Sequence, residues 1–211
     1  MNNKFHADRF PQLPHSSEAP AYFSPFEVGV ILHKILAIAD ALSPDDPRVG
    51  ELRALADAVE LSFFTGVDIV VCCYLRGEDI RVHRVRLGPL SAVIEVTPGE
   101  MVAADQGAAV VLLGLFGFYR PEPEDFLIAP LADRDGLLAA MVRHFEGVTR
   151  ELGLDHDRNG RPRTIVDVDT SAAIFALLMR PPEDQAPVLN AYLGAEDHLD
   201  QLREEVDSAR R

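Results

Sequence analysis

The chain has no tryptophan, only two cysteines and only two lysines, Lys4 and Lys34. Each shortage removes a class of function. With aromatics at 7% and no tryptophan, there is no aromatic and basic platform of the kind on which single-stranded bases stack. Cys72 and Cys73 are adjacent; neighbours on a strand point to opposite faces, so they read as small buried hydrophobes rather than a disulfide or a redox pair. No glycine-rich phosphate loop is present, since Gly114 and Gly117 fall late in an apolar run instead of between a strand and a helix. Serines are few and none sits in a nucleophile elbow. The seven histidines are scattered without paired metal spacing. The apolar run Gly107–Tyr119 falls short of the roughly 20 residues a bilayer demands. The N-terminus, MNNKFHADRFPQLPHSS, lacks the apolar core of a signal peptide, so a cytoplasmic location is expected.

Acid is what the chain has in excess. Lys and Arg total 20 against 34 Asp and Glu, for a net charge of −14 and a pI near 4.8. On that balance no nucleic-acid partner is expected, because such binding neutralises phosphates, and docking on anionic membranes is equally disfavoured. The basic residues are nearly all arginine, which with abundant Ala, Asp, Pro and Val points to a GC-rich, bacterial coding sequence. A hydrophobic content of 47% over 211 residues supports one real core.

The punctuation along the chain predicts an α+β fold: helix-rich, one domain, with a small, mainly antiparallel sheet covered by helices and a long central apolar helix. Residues 1–23 read as a flexible Pro-containing arm, 24–194 as the domain, and 195–211 as a C-terminal amphipathic helix with Leu199, Leu202 and Val206 on one stripe. Ser24, Pro25 and Glu27 form a capping box with proline at the first helical position. Val28, Ile31, Leu32, Ile35, Ala39 and Leu42 then give an apolar face. After SPDDP a second helix buries Leu52, Leu55, Ala56, Val59 and Phe63 and stops at Gly66.

The period then changes. Val67–Arg76 reads as a strand pairing through Gly77-Glu78-Asp79 with Ile80–Leu87, a bulge near His83-Arg84 restoring parity. Ser91–Val96 is the third strand. Thr97, Pro98 and Glu100 read as the capping box of the central helix, running to Tyr119; the rival is a helix to about Asp105 followed by a strand. Phe126–Leu131 is short and extended. Another helix covers about Asp135 to Leu152, with Leu138, Met141, Phe145, Val148 and Leu152 on one face and Gly153 as its C-cap. Thr164–Asp169 reads as a strand before a short helix.

Three sets of residues carry the candidate chemistry. Asp155, Asp157, Asn159 and Gly160 resemble the first half of an EF-hand calcium loop, in which alternate oxygens converge on a hard cation. The twelfth position is Val166 instead of a bidentate glutamate, so Asp169 would have to fold back to complete the set; the plain alternative is an Asn-Gly turn. Asp167 and Asp169 also share a face on the expected strand, the placing that nucleophile-and-acid chemistry uses, but little chain follows to build such a site. Second, Gly107, Gly114 and Gly117 recur with Ala103 and Val110 at helical steps of three and four, a stripe that admits another backbone, within one subunit or between two. Third, Arg81 and Arg86, with Arg76 and Arg84, offer an anionic ligand or an acidic partner a surface, or else form a solvated face that blunts a sheet edge.

The reading these features support is a non-enzymatic cytoplasmic accessory protein acting through contacts with a protein partner or a second copy of itself. No cofactor is expected. One alternative is a metal-dependent hydrolase or metal-regulated module holding calcium or magnesium at Asp155, Asp157, Asn159 and Asp169. The other is a small-molecule sensor with its pocket between sheet and central helix, its ligand unspecified by the sequence.

Overall fold

A computed structural model describes residues 21–84, 90–97, 99–104 and 106–178. Arg86, most of the N-terminal arm and the C-terminal amphipathic segment lie outside the described residues. Six helices and three strands follow in the order α1 (Pro25–Ala41), α2 (Pro47–Thr65), α3 (Ile69–Tyr74), β1 (Ile80–Arg84), β2 (Leu90–Thr97), β3 (Glu100–Ala104), α4 (Gln106–Tyr119), α5 (Arg134–Glu151) and α6 (Asp167–Leu178). The α+β class holds: the chain is helix-rich with one small antiparallel sheet of order β1-β2-β3.

The organising element is α2, which packs against α1, α3, α4, α5 and α6. Its sequence explains this. Ala54, Ala56, Ala58 and Ser62 are fully or nearly buried and let neighbouring backbones come close, while Leu52, Leu55, Val59, Leu61 and Phe63 fill the spaces between them. Asp46 caps the helix start by accepting from Arg48 N, and Gly66 ends it in the left-handed conformation, φ +70°. The capping box at Ser24 and Glu27 forms as expected, and Val28, Ile31, Ile35 and Ala39 are buried. Phe23, assigned to the arm by sequence, is buried edge-to-face against Phe145, and its N–H donates to Ser171 Oγ at 2.7 Å.

The central stretch departs from the expected continuous helix. Its first part is a β-hairpin: β2 pairs antiparallel with β3, and Thr97 faces Glu100 across Pro98 and Gly99. Gly99 has φ +82°, and its N–H donates to Glu95 Oε1 at 2.8 Å. Thr-Pro-Gly-Glu therefore acts as a turn, which Pro-Gly signals as strongly as it signals a cap. Helix begins only at Gln106. The rival order, helix then strand, is likewise reversed.

Two further segments change type. Val67–Arg76 contains a helix, α3, despite its β-branched residues, because Ile69 N donates to Asp169 Oδ1 at 2.8 Å from far along the chain. Thr164–Asp169 is a turn running into α6. Asp167 starts that helix by accepting from Thr164 N and Thr164 Oγ1. The hairpin partner of β1 is accordingly β2, in a regular register from Ile80↔Ile94 to Arg84↔Leu90. No bulge occurs at His83-Arg84; the irregularity lies between Glu95 and Thr97 on the other side of β2. Ile80, Ala92 and Ile94 are buried, with β2 packed against α4, whereas Arg81 is exposed. The segment 126–131 makes one bridge, Phe126 with Arg76.

Candidate functional site

The expected metal ligands are dispersed. Asp157 accepts from Asn159 N (2.8 Å), Arg161 N (2.9 Å) and Arg161 Nε (2.7 Å). These bonds hold its carboxyl below the usual range against the opposing pull of burial, and they make the segment a turn closed by its own arginine, with Gly160 at φ +77°. Asp155 sits 3.3 Å from His156 Nδ1. Asp169 faces away into the α2–α3 junction, where Oδ1 accepts from Ser62 Oγ at 3.1 Å as well as from Ile69 N. Burial pushes Asp169 up to about 6, these two bonds opposing the shift and Asp68 and Asp167 adding to it. Among the described residues no group of three or more His, Cys, Asp or Glu side chains is placed to hold a metal ion. The Asp155, Asp157 and Asn159 set and Asp169 are not brought together.

Among the described residues, the glycine stripe meets no partner segment at Gly114 or Gly117. Gly107 is half-buried, Gly114 and Gly117 are exposed, and a Cβ added at Gly114 or Gly117 would meet nothing within 4 Å. They share an outer face of α4 with Val110 and Phe118, which are 54% and 60% exposed. Packing inside the subunit was the expected use of the stripe; among the described residues nothing packs on it at those two positions.

The arginines divide sharply. Arg81 is exposed on β1. Arg76 is exposed, with its guanidinium 5.5 Å from the Phe126 ring centre. Arg134, which sequence reasoning passed over, is buried on the same ring at 4.3 Å. It donates to Cys73 O (3.0 Å), Ile128 O (2.9 Å), Ala132 O (3.2 Å) and Ala129 O.

A groove of about 250 Å³ opens between the start of α2, the end of α4 and the 129–132 turn. Phe118, Tyr119, Ala132 and Leu137 form its apolar wall, with Glu51 and Arg53 at the rim. This is not the expected pocket between sheet and central helix. Behind the wall Tyr119 OH donates to Asp57 Oδ2 at 2.6 Å. Burial pushes Asp57 up to about 6, with the Tyr119 bond opposing it, and burial drives the Tyr119 phenol up as well. Glu51 Oε2 is 2.8 Å from His144 Nε2. Arg120 (φ +48°) and Ala129 (φ +46°) are the non-glycine residues with positive φ among the described residues; Ala129 lines this groove, and Arg120 follows its lining residue Tyr119 in the chain. Each such conformation costs about 1–2 kcal/mol and collects where surrounding structure enforces it.

No family model matches the chain and no curated protein matches it. Among solved structures it is similar to the XerH site-specific recombinase bound to difH substrate in a pre-cleavage complex, at a TM-score of 0.49 and 16% identity. The match covers 90% of this chain and 51% of that one, so the chain spans about half the length of the recombinase. The expectations drawn from the sequence were an accessory protein working through protein contacts and no nucleic-acid partner; the recombinase, by contrast, is bound to its difH substrate. The second rested on net charge, and its physical weakness is plain. The value of −14 is a sum over the whole chain, whereas contact with a phosphate is decided within a Debye length, about 8 Å at physiological salt. Among the described residues no helix is long and apolar enough to cross a membrane.

Proposed function

We propose that this chain contacts duplex DNA through the β1–β2 ribbon, as a weak, sequence-independent phosphate contact. The carrying observation is local charge. From Ile80 to Ile94 there is no Asp or Glu, while Arg81, Arg84 and Arg86 all fall in that run. Arg81 stands exposed on the outer face of an edge strand. A guanidinium binds phosphate oxygens through two parallel donors and keeps its charge at any physiological pH. A two-stranded ribbon has the width of the major groove. The lack of tryptophan favours backbone contact with duplex over stacking on single strands.

The test is a fluorescence-anisotropy titration of the full chain with labelled duplex DNA at several salt concentrations. Each phosphate contact adds about −0.9 to the log–log slope, so the outward-facing Arg81 alone gives roughly a threefold loss of affinity between 50 and 200 mM salt. Arg81→Glu combined with Arg84→Glu and Arg86→Glu should abolish the binding while leaving the melting temperature unchanged. Absence of binding at low salt, or a slope that the triple variant leaves intact, removes the reading.

A further inference from the structure

We propose that the junction of α2, α3 and α6 is a proton-operated latch: a proton on Asp169 Oδ2 keeps α3 seated, and its loss lets the start of α3 swing away and bare the thiol of Cys72, then that of Cys73. The helix is held separately at its two ends. At its start the N–H of Ile69 donates to Asp169 Oδ1 at 2.8 Å, and Ser62 Oγ on α2 donates to the same oxygen at 3.1 Å. Asp68 stands at the capping position of α3 but its side chain makes no capping bond, so α6 supplies the cap from 100 residues away. The other end does not rely on Asp169. There Arg134 Nη1 donates to Cys73 O at 3.0 Å, and Leu127 N donates to Leu75 O at 2.8 Å. Release of the first hold with the second intact makes the C-terminal end of α3 the hinge.

The geometry at Asp169 favours a proton on Oδ2. Both donors use Oδ1, and Oδ2 has no donor among the described residues. The groups that face this carboxyl are acidic or neutral: Asp68 ahead of α3, Asp167 on α6, Ser62 on α2, and the thiols Cys72 and Cys73 on α3. Arg161 and Arg163 act on Asp167 and are bonded to Asp157 and to Glu27 of α1. Burial first, then Asp68 and Asp167, push Asp169 up to about 6 against the pull of its two bonds. Once α3 swings away, water reaches the carboxyl and its proton leaves as from an ordinary carboxylic acid. Opening therefore becomes easier as the pH rises through about 6. In the closed junction both cysteines are fully buried and burial pushes both thiols up, which keeps them inert. Cys72 lies towards the released end, its Sγ donating to Val67 O at 3.5 Å, whereas Cys73 sits by the hinge with its Sγ 3.9 Å from Met141 Sδ.

The latch shares no residue with the β1–β2 ribbon and does not depend on DNA contact. The test is labelling of the full chain with N-ethylmaleimide at pH 5 and pH 7, for the unmodified chain and for Asp169→Asn. Asparagine keeps the accepting oxygen and cannot ionise, so it holds the junction closed at both pH values. Dividing one rate by the other cancels the ionisation of the thiols themselves. The ratio of unmodified to Asp169→Asn rates should rise about fivefold from pH 5 to pH 7. Mass mapping should find Cys72 labelled ahead of Cys73. Because the opening is local, the rate should change little on adding about 1 M urea. The order of labelling and the urea dependence are read on the unmodified chain and need no variant to fold. A ratio that stays constant with pH overturns the inference. So does Cys73 reacting first, or a rate that climbs with urea along the slope of global unfolding.

Discussion

Arg134 and Arg163 sit in the interior, and Arg81 stands on the surface of β1; the same side chain serves opposite ends. Arg134 spends its donors on carbonyls of the α3 end, the 128–132 turn and its own helix start. Arg163 is held over the Phe23 ring at 4.4 Å, reaches both oxygens of Glu27, and takes Leu154 O and Tyr22 O besides. Each is a fork with many prongs, and only the fixed planar geometry of guanidinium serves so many acceptors at once. Arg81 makes no such set of bonds among the described residues, so its donors remain for something outside the chain. Arginine content by itself therefore says nothing about binding; what matters is whether the donors are already taken.

The largest expected effect comes from breaking the internal set. Arg134→Met removes every prong and leaves buried carbonyls unpaired, which should cost about 3 kcal/mol or more in a denaturant melt. Arg134→Lys should recover little, since a single ammonium cannot span those acceptors; full recovery by lysine would show that charge rather than geometry matters there. Arg163→Gln should cost about 2 kcal/mol, and a double-mutant cycle with Glu27→Gln should return a positive coupling energy, because the pair ties the start of α1 to the 155–163 turn.

The buried carboxylates sharpen the contrast: Asp57 is bonded by Tyr119, and Asp169 by Ser62 and the Ile69 N–H, rather than by an arginine fork. Asp57 and Asp169 are both pushed up to about 6, chiefly by burial. A carboxyl whose folded value lies above its unfolded one binds more protons when folded. Its contribution to stability is complete below about 3.8 and is lost as the pH rises through about 6. The chain should therefore be more stable at pH 5 than at pH 7, by about 1 kcal/mol or less per group, each being partly solvated. Asp57→Asn and Asp169→Asn should each flatten that slope. A melting temperature that rises with pH across this window would contradict it. The smallest effect belongs to the surface: Arg81→Gln should shift stability by less than about 0.5 kcal/mol, whatever it does to DNA binding.

What could be seen in the sequence was whatever is decided within a turn or two of chain. The Ser24–Glu27 capping box and the end of α2 at Gly66 are local, and they stand where the residues place them; the face of α5 is met at Met141, Phe145 and Val148 but shifts from the expected Leu138 to Leu137. The segments that went astray are those decided from elsewhere. Ile69–Tyr74 has the composition of a strand and is held as a helix by Asp169. Thr97–Glu100 satisfies the rules for a cap and for a turn equally, and pairing between β2 and β3 settles the matter. The aspartates of residues 155–169 looked convergent because sequence spacing ignores the arginine that occupies Asp157. The groove was invisible because its parts, Glu51, Phe118 and Leu137, are far apart in the chain.

The contact between Asp169 and Ile69 N spans 100 residues, and it has a kinetic consequence. A helix as short as α3 has almost no stability of its own in water, and its residues favour extended backbone. Until α6 arrives, Ile69–Tyr74 is free to sample strand pairing with the newly made β1 and β2. During synthesis the downstream segment emerges last, so α3 becomes a helix only when the loop of a hundred residues closes. Refolding should then show a slow step that Asp169→Ala makes slower. The N-terminal α1–α2 pair, joined by a short connection, should be protected from hydrogen exchange well before it.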